Sequence, residues 1–292
     1  MVTLNETERT NLISRLQPLI KLDKIEWGKQ IPLNKVDWDN MEVHLGCHGA
    51  GDTLRVMAIA KRRMDKSKKQ LVFVDSTPTI GAKLTANFTF VDYVIAWPRL
   101  GPYDVDWFRD LIDDWRHCIN NFDRINEPLI IVNPDNYPEL SLELSDLQIN
   151  YCDVCLPEKY VVIQPSSTFY NKGGADFSNI GNICALPVVV VGNEQDKCIT
   201  MRSDFDLRGK LSIEQSLWVA ANATIAVGVE SWIVIAAAQF GKPSFELASD
   251  DYYYASGEIA HKVFRSGNTA LQVFKMSSGL PELEMAVRQV KV

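Results

Sequence analysis

Short, almost unbroken apolar runs alternate along this chain with segments whose apolar residues recur every three or four positions. QLVFVD (Gln70–Asp75), VDYVIAW (Val91–Trp97), YVVIQ (Tyr160–Gln164) and PVVVVG (Pro187–Gly192) are runs of the first kind. A strand that is apolar at nearly every position has both faces covered, as in a parallel sheet flanked by helices. Met41–Gly46, Leu129–Val132, Thr224–Val227 and Lys242–Leu247 complete the predicted strands. The spacing between them predicts helices over Thr53–Met64, with Leu54, Met57 and Ala58 on one face, and over 81–87. Further helices are predicted over Val105–Asn121, 177–185, Ser212–Ala223, with Ile213, Leu217 and Ala220, and Ser231–Phe240, with Pro281–Val290 closing the chain. Residues 1–40 read as a helix, with Ile13, Leu16, Leu19 and Ile20 in step and Pro18 interrupting it, followed by a Trp-containing connection.

Strands alternating with helices predict an α/β protein with parallel sheets. The rhythm lapses over Asn133–Glu158, rich in Pro, Asp and Asn, which reads as an interdomain crossing. The expected organisation is therefore two Rossmann-like domains, 1–150 and 151–292, facing each other across a cleft of the kind that binds substrates. A length of 292 residues suits two ordinary domains or one large one.

Charge narrows the partners. The net charge is -7, so a phosphate backbone would need a local basic patch. Lys61, Arg62, Arg63, Lys66, Lys68 and Lys69 form one candidate. They read either as a solvated helix terminus, where cations are favoured, or as a docking point for an anionic acceptor or a membrane surface. Of the 6 cysteines only Cys152 and Cys155 have CxxC spacing, and without a second pair no metal is expected. The polar N-terminus lacks the apolar core of a signal peptide, and no run approaches the roughly 20 apolar residues of a membrane span. The expectation is a cytoplasmic protein with free thiols and at most peripheral membrane contact.

The candidate chemistry lies in polar loops at strand ends. HLGCHGAGDTL (44–54) puts His48, Gly49 and Gly51 in a turn and Asp52 at the start of a helix. Asp52 reads as an N-cap or as a catalytic carboxylate, and His48 as solvated or touching substrate. The glycines match neither GxGxxG nor a P-loop, which disfavours nicotinamide and nucleotide-triphosphate chemistry. In QPSSTFYNKGG (164–174), Ser166, Ser167, Thr168 and Lys172 make either a phosphate cradle or an exposed turn. Glu194, after Gly192, offers a carboxylate to a ribose, or simply lies on the surface. Ser212 and Gln215 fit a capping box. Glu230 and Ser231 occupy the turn between a buried strand and a small-residue helix, in VGVESWIVIAAAQFGKP (227–243).

The order GAGD, PSST…K, GNE, DLRGKLSIEQ and VGVESW…AAAQFGKP resembles the heptosyltransferase-type glycosyltransferases, over roughly Glu42 to Leu247. That resemblance implies the two-domain GT-B fold and inverting transfer of a sugar from a nucleoside-diphosphate donor to a hydroxyl acceptor, without a cofactor or metal. By position it assigns Asp52 as general base, Ser167, Thr168 and Lys172 to the donor phosphates, Glu230 and Ser231 to the nucleotide-sugar site, and Glu194 to the ribose. The implied acceptor is a lipopolysaccharide or surface glycan. The chain departs from the family pattern at Trp232, where a glycine is usual, at Ile235, where histidine is usual, and at Gly173, where tryptophan often follows the lysine. Two alternatives stay open: sugar transfer to a modified base in DNA, and a GT-B protein that binds a nucleotide sugar without turnover.

Overall fold

The computed structural model describes residues 40–46, 50–75, 80–97, 142–148, 152–167, 174–198, 200–250 and 270–291. They form two compact units, one holding residues 40–97 with Ser145–Gln148, the other Leu142–Leu144 and everything from 152 onward. The expected helix in residues 1–40, the helix Val105–Asn121 and the strand Leu129–Val132 lie outside the described residues.

In the N-terminal unit, β1 (Met41–Gly46), β2 (Lys69–Asp75) and β3 (Tyr93–Trp97) pair in parallel in the order β1-β2-β3. Helix α1 (Ala50–Arg63) connects β1 to β2, and α2 (Ile80–Ala86) connects β2 to β3. The predicted inward face of α1 is buried, with Leu54 and Met57 both at 0% exposure. One expectation needs correction: Ala50, Gly51 and Asp52 are helical rather than part of a turn, so Asp52 sits inside the first turn of α1 and not at its N-cap. Alanine is the best helix former, and an acidic residue is favoured in the first turn by the helix dipole, so the helix extends back over both. The segment around Asp146 lies against this unit. Leu147 bridges Phe88, the Thr89 N–H donates to the Asp146 carbonyl at 2.7 Å, and Lys61 Nζ meets Asp146 Oδ2 at 2.8 Å.

The C-terminal unit is a six-stranded, wholly parallel sheet. Its strands are β4 (Val161–Gln164), β5 (Val188–Val190), β6 (Phe205–Asp206), β7 (Ile225–Val229), β8 (Ser244–Ala248) and β9 (Leu271–Lys275). They lie in the order β6-β5-β4-β7-β8-β9. The chain works outward from β4 to one edge, returns to the middle, and works outward from β7 to the other. That is the doubly wound arrangement, with its change of direction between β4 and β7.

The apolar runs explain the layers. Val161, Ile163, Ile225, Val227, Val229, Phe245 and Leu247 pack one sheet face against Ile180 of α3 (Ile180–Cys184) and Leu283 and Val287 of α6 (Leu280–Arg288). On the other face lies α5 (Trp232–Gln239), packed against α4 (Ile213–Asn222). Helix α5 is buried over nearly its whole length, which its Ile-Val-Ile-Ala-Ala-Ala sequence permits without any polar face. Gly228 brings α5 and the strands together: a Cβ there would lie 2.7 Å from the Gln164 carbonyl oxygen and 3.0 Å from Val234 Cγ2. The expected capping box is present in both directions, with the Gln215 N–H donating to Ser212 Oγ at 3.1 Å and the Ser212 N–H to Gln215 Oε1 at 3.0 Å.

Candidate functional site

The carboxyl ends of β4, β5, β6 and β7 share one edge of the C-terminal sheet, because all its strands are parallel. β4 ends in Gln164, Pro165, Ser166 and Ser167. The loop that follows is pinned at its base, since Ser166 bridges Gly174 and the Ala175 N–H donates to the Pro165 carbonyl at 2.9 Å. Beyond β5, Gly192 turns the chain with φ 139°, and the space its side chain would occupy is filled by the Asp196 carboxyl. Glu194–Cys198 then forms a 3-10 turn. Beyond β6 come Arg208 and Gly209, and the Gly209 N–H donates to the Gly192 carbonyl at 2.9 Å. β7 hands over through Glu230 and Ser231 to α5.

A buried polar network ties three of these ends together. Asp196 is 0% exposed. Its Oδ1 accepts from Ser166 Oγ at 2.7 Å, and its Oδ2 accepts from the Asn193 N–H at 2.8 Å. Arg208, 5% exposed, donates through Nη1 to the Asp196 carbonyl at 2.7 Å. Its Nε and Nη2 grip both oxygens of Asp206 at 2.9 and 2.7 Å. This two-pronged contact holds the Asp206 carboxyl below the ordinary carboxylate range, against an opposing push from partial burial. Spacing alone did not reveal Gln164, Asp196, Asp206 or Arg208. The signal available for the last pair was their i, i+2 separation, which puts both side chains on one side of an extended segment.

The expected site residues divide three ways. Ser167, Glu194, Glu230 and Ser231 stand at this edge, with Glu230 and Ser231 buried, Ser167 half-buried and Glu194 exposed. Glu194 folds over Gly209, where any side chain would collide with it. Asp52 and Gly51 are in α1 of the other unit. Thr168, Lys172, His48 and Gly49 lie outside the described residues.

Ser231 sits at the N-cap of α5 in an extended conformation, yet its side chain caps nothing. The first N–H groups of a helix have no partner within it, so this terminus offers oriented donors to an anion. Among the described residues no group of three or more His, Cys, Asp or Glu could hold a metal ion, and no helix is long and apolar enough to cross a membrane. Of the basic run, Lys61 is engaged with Asp146, so it is not wholly available to an anionic partner.

The C-terminal unit is thus a doubly wound α/β domain with its polar residues gathered where such domains bind ligands. Among solved structures, the chain is similar to a family 9 glycosyl transferase from Veillonella parvula, at 10% identity and a TM-score of 0.47, covering 86% of this chain and 91% of that one. It is also similar to ADP-heptose lps heptosyltransferase II of E. coli, at 11% identity and a TM-score of 0.44, covering 80% of this chain and 90% of that one. A third similar structure is the E. coli heptosyltransferase WaaC with ADP, at 10% identity and a TM-score of 0.40, covering 72% and 88% of the two chains. No protein-family model matches the sequence, and no curated protein matches it either.

Proposed function

We propose that this protein is a glycosyltransferase that moves a sugar from a nucleoside-diphosphate donor to a hydroxyl of a glycan or glycolipid, with inversion. The observation that carries this reading is the collection of Gln164, Ser166, Ser167, Glu230 and Ser231 at the carboxyl edge around the β4–β7 change of direction. Doubly wound sheets bind phosphorylated, sugar-bearing ligands at that point. In this reading the chain adopts the two-domain GT-B organisation, 1–150 and 151–292, and works in the cytoplasm. The donor diphosphate lies against the α5 terminus, Ser167, Thr168 and Lys172, with Glu194 at the ribose. Fixed donors and a lysine charge then stabilise the leaving diphosphate without a metal. Asp52 accepts the proton of the attacking hydroxyl as the new glycosidic bond forms and the bond to the diphosphate breaks. His48, Gly49 and Gly51 line the acceptor side.

The first test is a thermal-shift panel of ADP, UDP, GDP and their sugar conjugates. A ligand that binds only the native form, supplied at a hundred times its Kd, stabilises by about 2.7 kcal/mol, which raises Tm by several degrees in a chain of this size. With an active donor in hand, Asp52→Asn is expected to reduce kcat about 100-fold or more while leaving donor affinity unchanged. An unchanged kcat removes Asp52 from the mechanism. Donor binding with no transfer by the wild type, across glycan acceptors, would leave a nucleotide-sugar-binding protein without turnover.

A further inference from the structure

We infer that Gln164 is a specificity-determining residue, its carboxamide oxygen accepting a hydrogen bond from a hydroxyl of the transferred sugar beside the helix terminus that takes the phosphate. The inference rests on the glycosyltransferase reading and assigns one residue of the site to the sugar itself.

Gln164 is the last residue of β4 and is 6% exposed. Val161 and Ile163 of the same strand enter the cluster beneath α3 and α6, so strand alternation turns Gln164 to the opposite face. Its register partner on β7 is Gly228, whose missing side chain admits Val234 of α5. The carboxamide therefore belongs to the face that α5 covers, at the carboxyl end of the strand. Nε2 donates to the Ser166 carbonyl at 3.3 Å. Oε1 is buried and has no hydrogen-bond partner among the described residues.

The second observation is on the neighbouring strand. Ser231 is 7% exposed, its Oγ is buried without a partner among the described residues, and it stands at the N-cap of the eight-residue helix α5. The two groups ask for different things. A helix N-terminus with a serine hydroxyl favours an anionic oxygen. An amide oxygen can only accept; it repels phosphate and needs a hydroxyl or N–H. A ligand that satisfies both carries an anionic oxygen and a hydroxyl, as a sugar phosphate does. Replacing the amide by an apolar group of similar size removes the acceptor, together with the bond from Nε2 to the Ser166 carbonyl, with little change in packing.

The experiment is isothermal titration of wild type, Gln164→Met, Gln164→Glu and Ser231→Ala. The probes are ADP, UDP and GDP, and ADP-glucose, UDP-glucose and GDP-mannose. Gln164→Met is expected to weaken the bound sugar conjugate about 5- to 10-fold, the loss of one hydrogen bond, and to leave the matching diphosphate unchanged. Gln164→Glu keeps an acceptor oxygen but sets a negative charge beside the phosphate and an acceptor against the Ser166 carbonyl, and is expected to weaken diphosphate and conjugate alike. Ser231→Ala is expected to weaken diphosphate and conjugate alike. Equal losses for diphosphate and conjugate in Gln164→Met would put the contact on the nucleoside and overturn the inference, as would no loss at all. Melting curves check each variant's fold; if Gln164→Met does not fold, Gln164→Ala, titrated with the diphosphate and with the conjugate, gives the same comparison. A wild type that binds none of the six probes sinks the glycosyltransferase reading, and this inference with it, before any variant is made.

Discussion

Replacing Asp196 with alanine tests how the site edge is held. The substitution removes the acceptor for Ser166 Oγ and for the Asn193 N–H. Ser166 is 6% exposed, so its hydroxyl loses its partner where water does not readily replace it, at about 1–3 kcal/mol. Asn193 is exposed, and water takes over its N–H, so that loss is nearer 0.5–1 kcal/mol. The Arg208 contact survives because it is made to the Asp196 main chain. The sum is roughly 1.5–4 kcal/mol. Asp196→Asn behaves differently. The new amide offers its oxygen to the Asn193 N–H and its nitrogen to Ser166, whose hydroxyl reverses from donor to acceptor. That variant is expected to lose no more than about 1 kcal/mol. Urea unfolding reads the difference as a fall in midpoint at constant slope, larger for alanine. Equal midpoints for the two variants would refute the argument, since it depends on a hydroxyl that can exchange roles and a backbone N–H that cannot.

Two further predictions follow from the same edge. Gly228→Ala drives a methyl to 2.7 Å from the Gln164 carbonyl, and overpacking of that kind costs about 1–3 kcal/mol, read as a lower Tm; an unchanged Tm contradicts the close approach of β4 and β7. Asp206, held low by Arg208, contributes stability that is fully present above the ordinary carboxylate pKa of about 3.9 and is lost as pH falls through its depressed folded value. The stability gap between wild type and Asp206→Asn should therefore be constant from about pH 5 upward and shrink below about pH 4, measured by urea unfolding across that range. A gap that grows on acidification reverses the sign and removes the assignment.

The strands were legible because burial on both faces leaves a continuous apolar run, and β2, β4, β5 and β8 fall within a residue or two of their expected bounds. The α4 cap was legible because a capping box is local: Ser212 and Gln215 need only each other. β6, reduced to Phe205–Asp206, is too short to print a pattern, and β9 carries polar residues at Gln272 and Lys275 on the sheet edge. Asp196 was hidden for a different reason. In GNEQD its neighbours Glu194 and Gln195 are exposed, and composition reads all three alike. Only the left-handed turn at Gly192 swings the Asp196 carboxyl inward, onto a serine from another strand's loop 30 positions earlier in the chain. Burial of that kind depends on which strand ends are neighbours, and strand order is not written in a hydrophobic pattern.

Polar groups on the two edges of the C-terminal sheet are treated differently. At the amino edge, side chains find partners at once: Tyr160 Oη donates to the Val219 carbonyl at 2.7 Å, Asp204 Oδ2 accepts from the Val188 N–H at 2.8 Å, and Ser244 Oγ donates to the Lys242 carbonyl at 2.8 Å. At the carboxyl edge, Gln164 Oε1 and Ser231 Oγ are buried with nothing to bond among the described residues. Gln239, near the far end of α5, also has a buried oxygen without a partner among the described residues, so the contrast is one of degree. Each such atom costs about 1–3 kcal/mol, which is a large share of a stability of 5–15 kcal/mol. An apolar residue at either position would spare the cost, and the strands already supply valine and alanine on every side. Two such groups, one at the end of β4 and one at the α5 N-cap after β7, lie where the proposed ligand would supply bonds. If a nucleotide sugar restores them, its binding should protect the amides of Ser166 and Gly228 from hydrogen exchange more than those of Val188 or Ser244, and uniform protection would place the ligand elsewhere.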